Sequence, residues 1–479
     1  MDVTAEPFVA GLEILASDSA LLEGHALRLS VRAWDIERRP TVPPRLTWGS
    51  GDPGVLTVDS AGTARAMLGG GGGDVAVWAS AGPGQAADTI TMHVAVHGEV
   101  KWRLPLGPMP LHGGPAEGPD GTVYVLGQTS LSLPEATLFA VTPWGTVSWQ
   151  RRLTQVDCCN YPFVGRDGAV YVVGQYVWAF SPDGTLRWAI TERPVEVFPN
   201  VPTSHAGAIG DDGTLYAAMA YDLFALRAAD GDTLWVGPRA ADAGWLLPPT
   251  VSADGRTAYI SNTGDWFYGF DGATGTARWA LMHTDPGLAA YGVGAALAGG
   301  RLLIPAATVL QEADTSGTLW GVGPVVGRGV SEPAVAPDGT LYLQTPQRSG
   351  VFALNPVAST RWSLPPRARW IWYGGPALAA GGVLYAAATD GLYALNVTPD
   401  SASVRWRYPG DTTQRLVFVG APLISADGTV YSFTSCDYGR ESLPCSDELF
   451  AFWEDKPVEP NSPWPMWRHD ARRSGQAHR

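Results

Sequence analysis

The sequence predicts an all-β protein: a β-sandwich over residues 1–98, then an eight-bladed β-propeller over residues 99–453 closed by an N-terminal strand, and a tail, 454–479, packing on the propeller. Three observations lead there. Gly (58), Pro (39) and Trp (20) are abundant while charged residues are only 16% of the 479, a turn-rich and strand-rich composition. Apolar residues alternate with period two through the first 98 residues. Beyond them, a turn-and-strand unit recurs eight times.

The composition also excludes. A net charge of −14 argues against nucleic acid, which needs a concentrated basic face. No apolar run approaches the roughly 18 residues of a membrane span. Residues 1–20 lack the basic start and apolar middle of a signal peptide, so the sequence reads as a mature chain, with surface attachment upstream of it left open.

In the first segment the short alternating strands are VAGLEIL, HALRLSVRAWD, LTWGS, GVLTVDS and DVAVWAS, separated by Gly and Pro turns. The stretch LTWGSGDPGVLTVDSAGTARA resembles the group 2 bacterial Ig-like domain at Trp48, Ser50, Asp52, Val58, Asp59 and Gly62. That resemblance implies a spacer or adhesion module outside the cytoplasm. His93 and His97 share a strand face but have no third ligand nearby, and read as surface residues.

In the second segment an Asp-Gly-Thr turn followed by an apolar-Tyr strand recurs, with marks at Tyr124, Tyr171, Tyr216, Tyr259, Leu303, Tyr342, Tyr385 and Tyr431. Their spacing, 39 to 47 residues, is the length of a four-stranded blade. A second mark, a strand ending in Trp, falls at Trp149, Trp188, Trp235, Trp279, Trp320, Trp362 and Trp406, and the eighth is Trp102 upstream. A strand around Trp102 therefore completes the blade holding Tyr431 and Phe452, leaving no open edge. The Trp side chains are expected to dock between neighbouring blades.

Stretches such as FYGFDGATGTARW and DGLYALNVTPDSASVRW are similar to the pyrroloquinoline-quinone-type propeller repeat. That repeat is shared by quinoprotein dehydrogenases and outer-membrane assembly lipoproteins, so the resemblance implies a fold more than an activity. The tail SPWPMWRHDARRSGQ resembles a segment flanking the propeller in secreted members of this group. Its aromatics are expected to pack on the ring, and Arg468, His469 and Asp470 to satisfy exposed backbone.

Ligand sites in propellers gather on the face formed by loops running from one blade's outer strand to the next blade's inner strand. Those loops hold Cys158, Cys159, Asn160, Tyr161, Glu196, His205, Trp245, His283, Tyr291, Arg328, Glu332, Arg369, Trp370, Trp372 and Arg415. Aromatic platforms beside Arg donors suit a planar, sugar-like or anionic ligand. The alternative is that the aromatics plug the channel.

The adjacent Cys158 and Cys159 cannot easily share a metal, which leaves free thiols or a strained vicinal disulfide. The Ig-like resemblance implies an oxidising compartment. Quinone alcohol dehydrogenases carry a vicinal disulfide against the cofactor at this same station, so the resemblance implies a Cys158–Cys159 bond. Their calcium ligands and catalytic Asp have no counterparts here, so no cofactor is expected, with pyrroloquinoline quinone and calcium as the alternative. Cys436 and Cys445 flank an insertion in the last blade and suit a loop staple. P-loop, zincin, nucleophile-elbow and dinucleotide motifs are missing.

Together these features predict a bacterial extracellular, periplasmic or cell-surface propeller that binds a small-molecule, glycan or protein ligand without catalysis. The alternative is an enzyme on the same face, either a diverged quinoprotein or a lyase or hydrolase using His, Arg and carboxylate groups.

Overall fold

The computed structural model describes residues 8–477 apart from 108–113, 129–134, 157–159, 192–205, 220, 238–243, 245, 265, 283–293, 307–308, 324–329, 346–349, 356–358, 365–374, 411–415, 437–446, 467 and 471. All of its regular structure is β. The chain divides into two units, Met1–Glu99 and Val100–Arg479.

In the first unit, sheets of two, four and three strands surround one core that includes Leu12, Leu29, Trp48, Leu56, Val77 and Val94. The residues quoted above have local jobs. Asp59 Oδ1 accepts the N–H groups of Ala61 and Thr63, closing a turn in which Gly62 has φ 82°. A Cβ on Gly62 would lie 2.9 Å from the Trp48 ring, so only glycine lets the turn seat against the core tryptophan. His93 is held between Asp74 and Glu99, 2.8 Å from each, and its hydrogen bond to Asp74 raises its pKa.

Among the described residues, the second unit contains eight four-stranded antiparallel sheets. Sheets 1 to 7 begin with the inner strands Ala116–Glu117, Pro162–Val164, Ala206–Ile209, Thr250–Val251, Ala296–Ala298, Ala334–Val335 and Ala377–Ala379. The eighth combines Leu416–Ile424, Val430–Cys436 and Asp447–Phe452 with Val100–Gly107, whose register sets Trp102 opposite Ala451.

Each repeated residue has a physical reason. The turn aspartate caps its own turn: Asp120, Asp212, Asp338 and Asp427 accept the N–H of Thr122, Thr214, Thr340 and Thr429 at 2.9–3.1 Å. The tyrosine packs on its own sheet's tryptophan, with ring centroids 5.7–6.1 Å apart in seven sheets. Each of those tryptophans reaches the next sheet. The indole N–H of Trp102, Trp149, Trp188, Trp235, Trp279 and Trp362 donates to the carbonyls of Pro143, Pro182, Ala228, Gly272, Thr315 and Thr398, and that of Trp406 to Glu454. Glycines at positive φ, such as Gly184 and Gly317, lie under the rings, where a Cβ would come within 2.6 and 2.5 Å.

Sheet 5 breaks the pattern. Leu303 replaces its tyrosine, and one residue fewer separates Gly317 from Trp320 than separates Gly275 from Trp279. Gly321 therefore takes the place opposite Glu312, Trp320 falls in the bulge, and it lies 57% exposed, bonded to Asp314 of its own sheet. The docking expected of Trp320 is lost to a one-residue shift. Leucines 302, 303, 310, 341, 343 and 354 pack sheets 5 and 6 together instead.

Candidate functional site

The tail supplies the centre of the second unit. It begins beside the turn of sheet 8, where a Cβ on Gly428 would meet the Asp455 backbone at 2.5 Å, and Ala380 N–H then donates to Pro457. From there it ascends past the inner strands, reverses, and descends to Ala477. The inward-pointing N–H groups of Leu378, Val335, Val164, Ile209 and Val251 donate to the tail carbonyls of Pro465, Trp464, Arg472, Ser474 and Gly475 at 2.7–2.9 Å. Arg473 donates to the carbonyls of Pro115, Ala421 and Pro422, reaching sheets 1 and 8. Arg468, His469 and Arg473 all have positive φ (58°, 76° and 57°), which shapes the reversal.

This tail is charged yet buried: Arg468, His469 and Arg473 are 0% exposed. Glu332, two residues before the inner strand of sheet 6, organises the apex. Its Oε1 accepts both the Trp464 indole N–H and the Arg468 backbone N–H at 2.7 Å. Burial pushes the Glu332 carboxyl up to about 7, against the opposing pull of Arg468. Arg468 donates to the carbonyls of Gly207 and Pro249. Among the described residues, Glu332 Oε2 and Arg468 Nε and Nη1 have no hydrogen-bond partner. Burial lowers the Arg473 guanidinium to about 9, despite Asp470 and Glu332. For Asp470, burial acts upward but is outweighed by Arg472 and His469 and by the bonds from Ser474, so its pKa stays low. Tyr161 lies against this cluster, its hydroxyl 3.5 Å from the Gly207 carbonyl and pushed to about 12 by burial.

A profile of the family described as "Outer membrane protein assembly factor BamB" matches residues 86–244. Among solved structures, the chain is similar to BamB from Moraxella catarrhalis at 14% identity and TM-score 0.52, over 75% of this chain and 98% of that one. It is similar to a europium-containing methanol dehydrogenase at 13% identity and TM-score 0.56, over 74% and 93% of the two chains. The C-terminal WD40 domain of Sif2 aligns at 9% identity and TM-score 0.51, over 74% and 99%. The second unit is a β-propeller. No curated protein sequence matches. Identities this low carry the propeller fold and no activity.

On the propeller, three of the sequence-derived candidates fall within the described residues, and all three are buried. Asn160 donates to the Val173 carbonyl at 2.5 Å, Tyr161 faces Gly207, and Glu332 anchors the tail. Cys158, Cys159, Glu196, His205, Trp245, His283, Tyr291, Arg328, Arg369, Trp370, Trp372 and Arg415 lie outside the described residues, as does Cys445. Cys436 ends a strand, paired with Leu416. Of the tail, Arg468, His469 and Asp470 stood out in the sequence and Trp464 was among the aromatics expected to pack, whereas Arg473, equally central, carried no signal beyond lying in the same segment.

A quinone with calcium needs carboxylates free to ligate the metal and reach the reaction centre. At this axis Glu332 Oε1 is bound to the tail, and both Asp470 oxygens are bound by Ser474 and Arg472. Among the described residues one axial carboxylate oxygen, Glu332 Oε2, is left without a hydrogen-bond partner, fewer than the roughly six to eight oxygens calcium takes, and the loop cysteines expected beside the quinone lie outside the described residues.

Proposed function

We propose that this chain is a non-catalytic binding scaffold: an eight-bladed propeller with an N-terminal Ig-like spacer, working outside the bacterial cytoplasm. Its ligand is a small molecule, glycan or protein, engaged on the face where outer strands lead into the next inner strand. The observation supporting this is that the axial charges, Glu332, Arg468, Arg473 and Asp470, are bonded to the chain's own tail and inner strands. Groups so engaged hold a rigid ring, and they leave recognition to the loops around it. A rim with a Cys158–Cys159 disulfide wall and the aromatics and arginines near Trp370 suits that role, and the family whose profile matches part of the chain is described as an assembly factor.

Arrayed glycans and small acids probed with the purified chain test this reading. Binding that is abolished in an Arg369→Ala, Trp370→Ala double variant is expected; binding that survives it moves the site elsewhere. Loading with pyrroloquinoline quinone and calcium, followed by dye reduction with an alcohol panel, is expected to give no turnover.

One observation favours a second reading, an acid–base enzyme. Among the described residues one Glu332 oxygen has no hydrogen-bond partner, and burial raises its pKa to about 7, the property of a general acid or base. Turnover of a lyase or hydrolase substrate that disappears in Glu332→Gln would select it.

A further inference from the structure

The turns joining inner and second strands form the opposite face of the propeller, and one seam of that face is stepped. Counting residues enclosed by the equivalent strand pair gives five in six sheets: Glu117↔Val123, Val164↔Val170, Ile209↔Leu215, Val335↔Leu341, Leu378↔Leu384 and Ile424↔Val430. Sheet 4 encloses six, between Val251 and Ala258, and its neighbour sheet 5 encloses four, between Leu297 and Leu302. A long turn thus stands beside a short one. The short turn closes on Gly299 and Gly300, both at positive φ (58° and 77°), as a two-residue hairpin requires. A Cβ on either glycine would meet nothing within 4 Å, so open space lies beyond them.

The step opens a cleft of about 570 Å³, within the range of small-molecule sites, about 300–1,000 Å³. The tail bounds it, through Pro463 from the ascending limb and Ala477 from the descending limb, and with Leu297 these supply an apolar lining. The polar lining is wired in place. Arg278 donates to Asp271 at 2.7 Å and to Thr257 at 2.9 Å, and the Tyr259 hydroxyl lies in hydrogen-bonding contact with Thr257 and Thr315. Ser252 donates to Asp254 Oδ1 at 2.7 Å, while among the described residues the contact of Oδ2 is with Arg256, at 3.9 Å.

Charge selects the ligand class. Arg278 is balanced by Asp271, and Asp254 by Arg256, so the cleft attracts neither a strong anion nor a cation. What remains is a carboxylate oxygen able to accept, hydroxyl groups able to do either, and apolar carbon lining. That combination matches a polyhydroxylated ligand with an apolar C–H face. We propose that the cleft between the turns of sheets 4 and 5 is a second binding site, for a neutral carbohydrate, independent of the loop face.

Calorimetric titration of the full chain with glucose, galactose, N-acetylglucosamine and their disaccharides tests the site. At least one is expected to bind with millimolar affinity, weakened about tenfold or more in Asp254→Ala and in Arg278→Ala. The loop-face variant Arg369→Ala, Trp370→Ala is expected to leave this binding unchanged, which separates the two sites. Asp254→Asn, with unchanged thermal unfolding, controls for misfolding. Failure of every sugar to bind at about 50 mM, or undiminished binding in the Asp254 and Arg278 variants, overturns the proposal.

Discussion

Glu332→Gln separates the charge of the buried carboxyl from its hydrogen bonds, because the amide oxygen can still accept from Trp464 and Arg468. In the unfolded chain the carboxyl titrates near its ordinary value, 4.5, and in the folded chain near 7. Between those values the folded state keeps a proton that the unfolded state releases. Stability therefore falls as pH rises through this window, by about 3 kcal/mol for a difference of this size. The loss is complete above pH 7 and absent below 4.5. Glu117, also raised to about 7 by burial, behaves in the same sense in both proteins and cancels in their comparison. Arg473, titrating near 9, stays charged throughout. Urea unfolding followed by tryptophan fluorescence at pH 5 and pH 8 is the assay. The variant is expected to gain on the wild type by about 2.5 kcal/mol between the two conditions, because part of the loss is already present at pH 5. A difference that does not move with pH would mean that Arg468 keeps Glu332 ionised in the folded state, and that desolvation is not the larger effect.

Three further outcomes are expected. Trp279→Ala removes a ring docked on Gly317 and bonded to Thr315, and should cost about 3 kcal/mol, whereas Trp320→Ala should cost under about 1 kcal/mol; equal losses by denaturant midpoint contradict the register argument. Gly317→Ala forces a Cβ to within 2.5 Å of the Trp279 ring at φ 85°, and is expected to lower stability by about 2 kcal/mol, read from the denaturant midpoint, with a red-shifted indole emission as the ring is displaced. Arg473→Met leaves the carbonyls of Pro115, Ala421 and Pro422 without the guanidinium donors that bind them, a loss of about 3 kcal/mol measurable by thermal unfolding.

The repeat was legible because each of its marks does one local job. An aspartate that caps a turn, a glycine under an indole and a tyrosine beside it leave the same imprint every time, whatever the neighbouring sheet. Trp320 was misleading for the converse reason: a single missing residue is a trivial gap in a spacing, yet it turns a strand side chain over. The tail was half legible. Its aromatics announced packing, but arginine, histidine and aspartate normally signal solvent, and nothing local reveals that the surrounding sheets offer inward-pointing backbone groups for them to meet. Glu332 illustrates the same limit. It is on the predicted connection, but its role as an anchor for a residue 136 positions later depends on closure of the whole ring. The stepped cleft was written in the turn lengths of sheets 4 and 5, visible as irregular tyrosine spacing, but its significance requires knowing that those turns are neighbours.

Repeat proteins are usually chains of nearest neighbours, in which one module can loosen while distant ones hold. The tail changes that connectivity. By bonding directly to the inner strands of sheets 2, 3, 4, 6 and 7, and through Arg473 to sheets 1 and 8, it acts as a hub with spokes. Opening any one of these modules also strains the shared hub, so partial unfolding is penalised and the ring tends toward all-or-none behaviour.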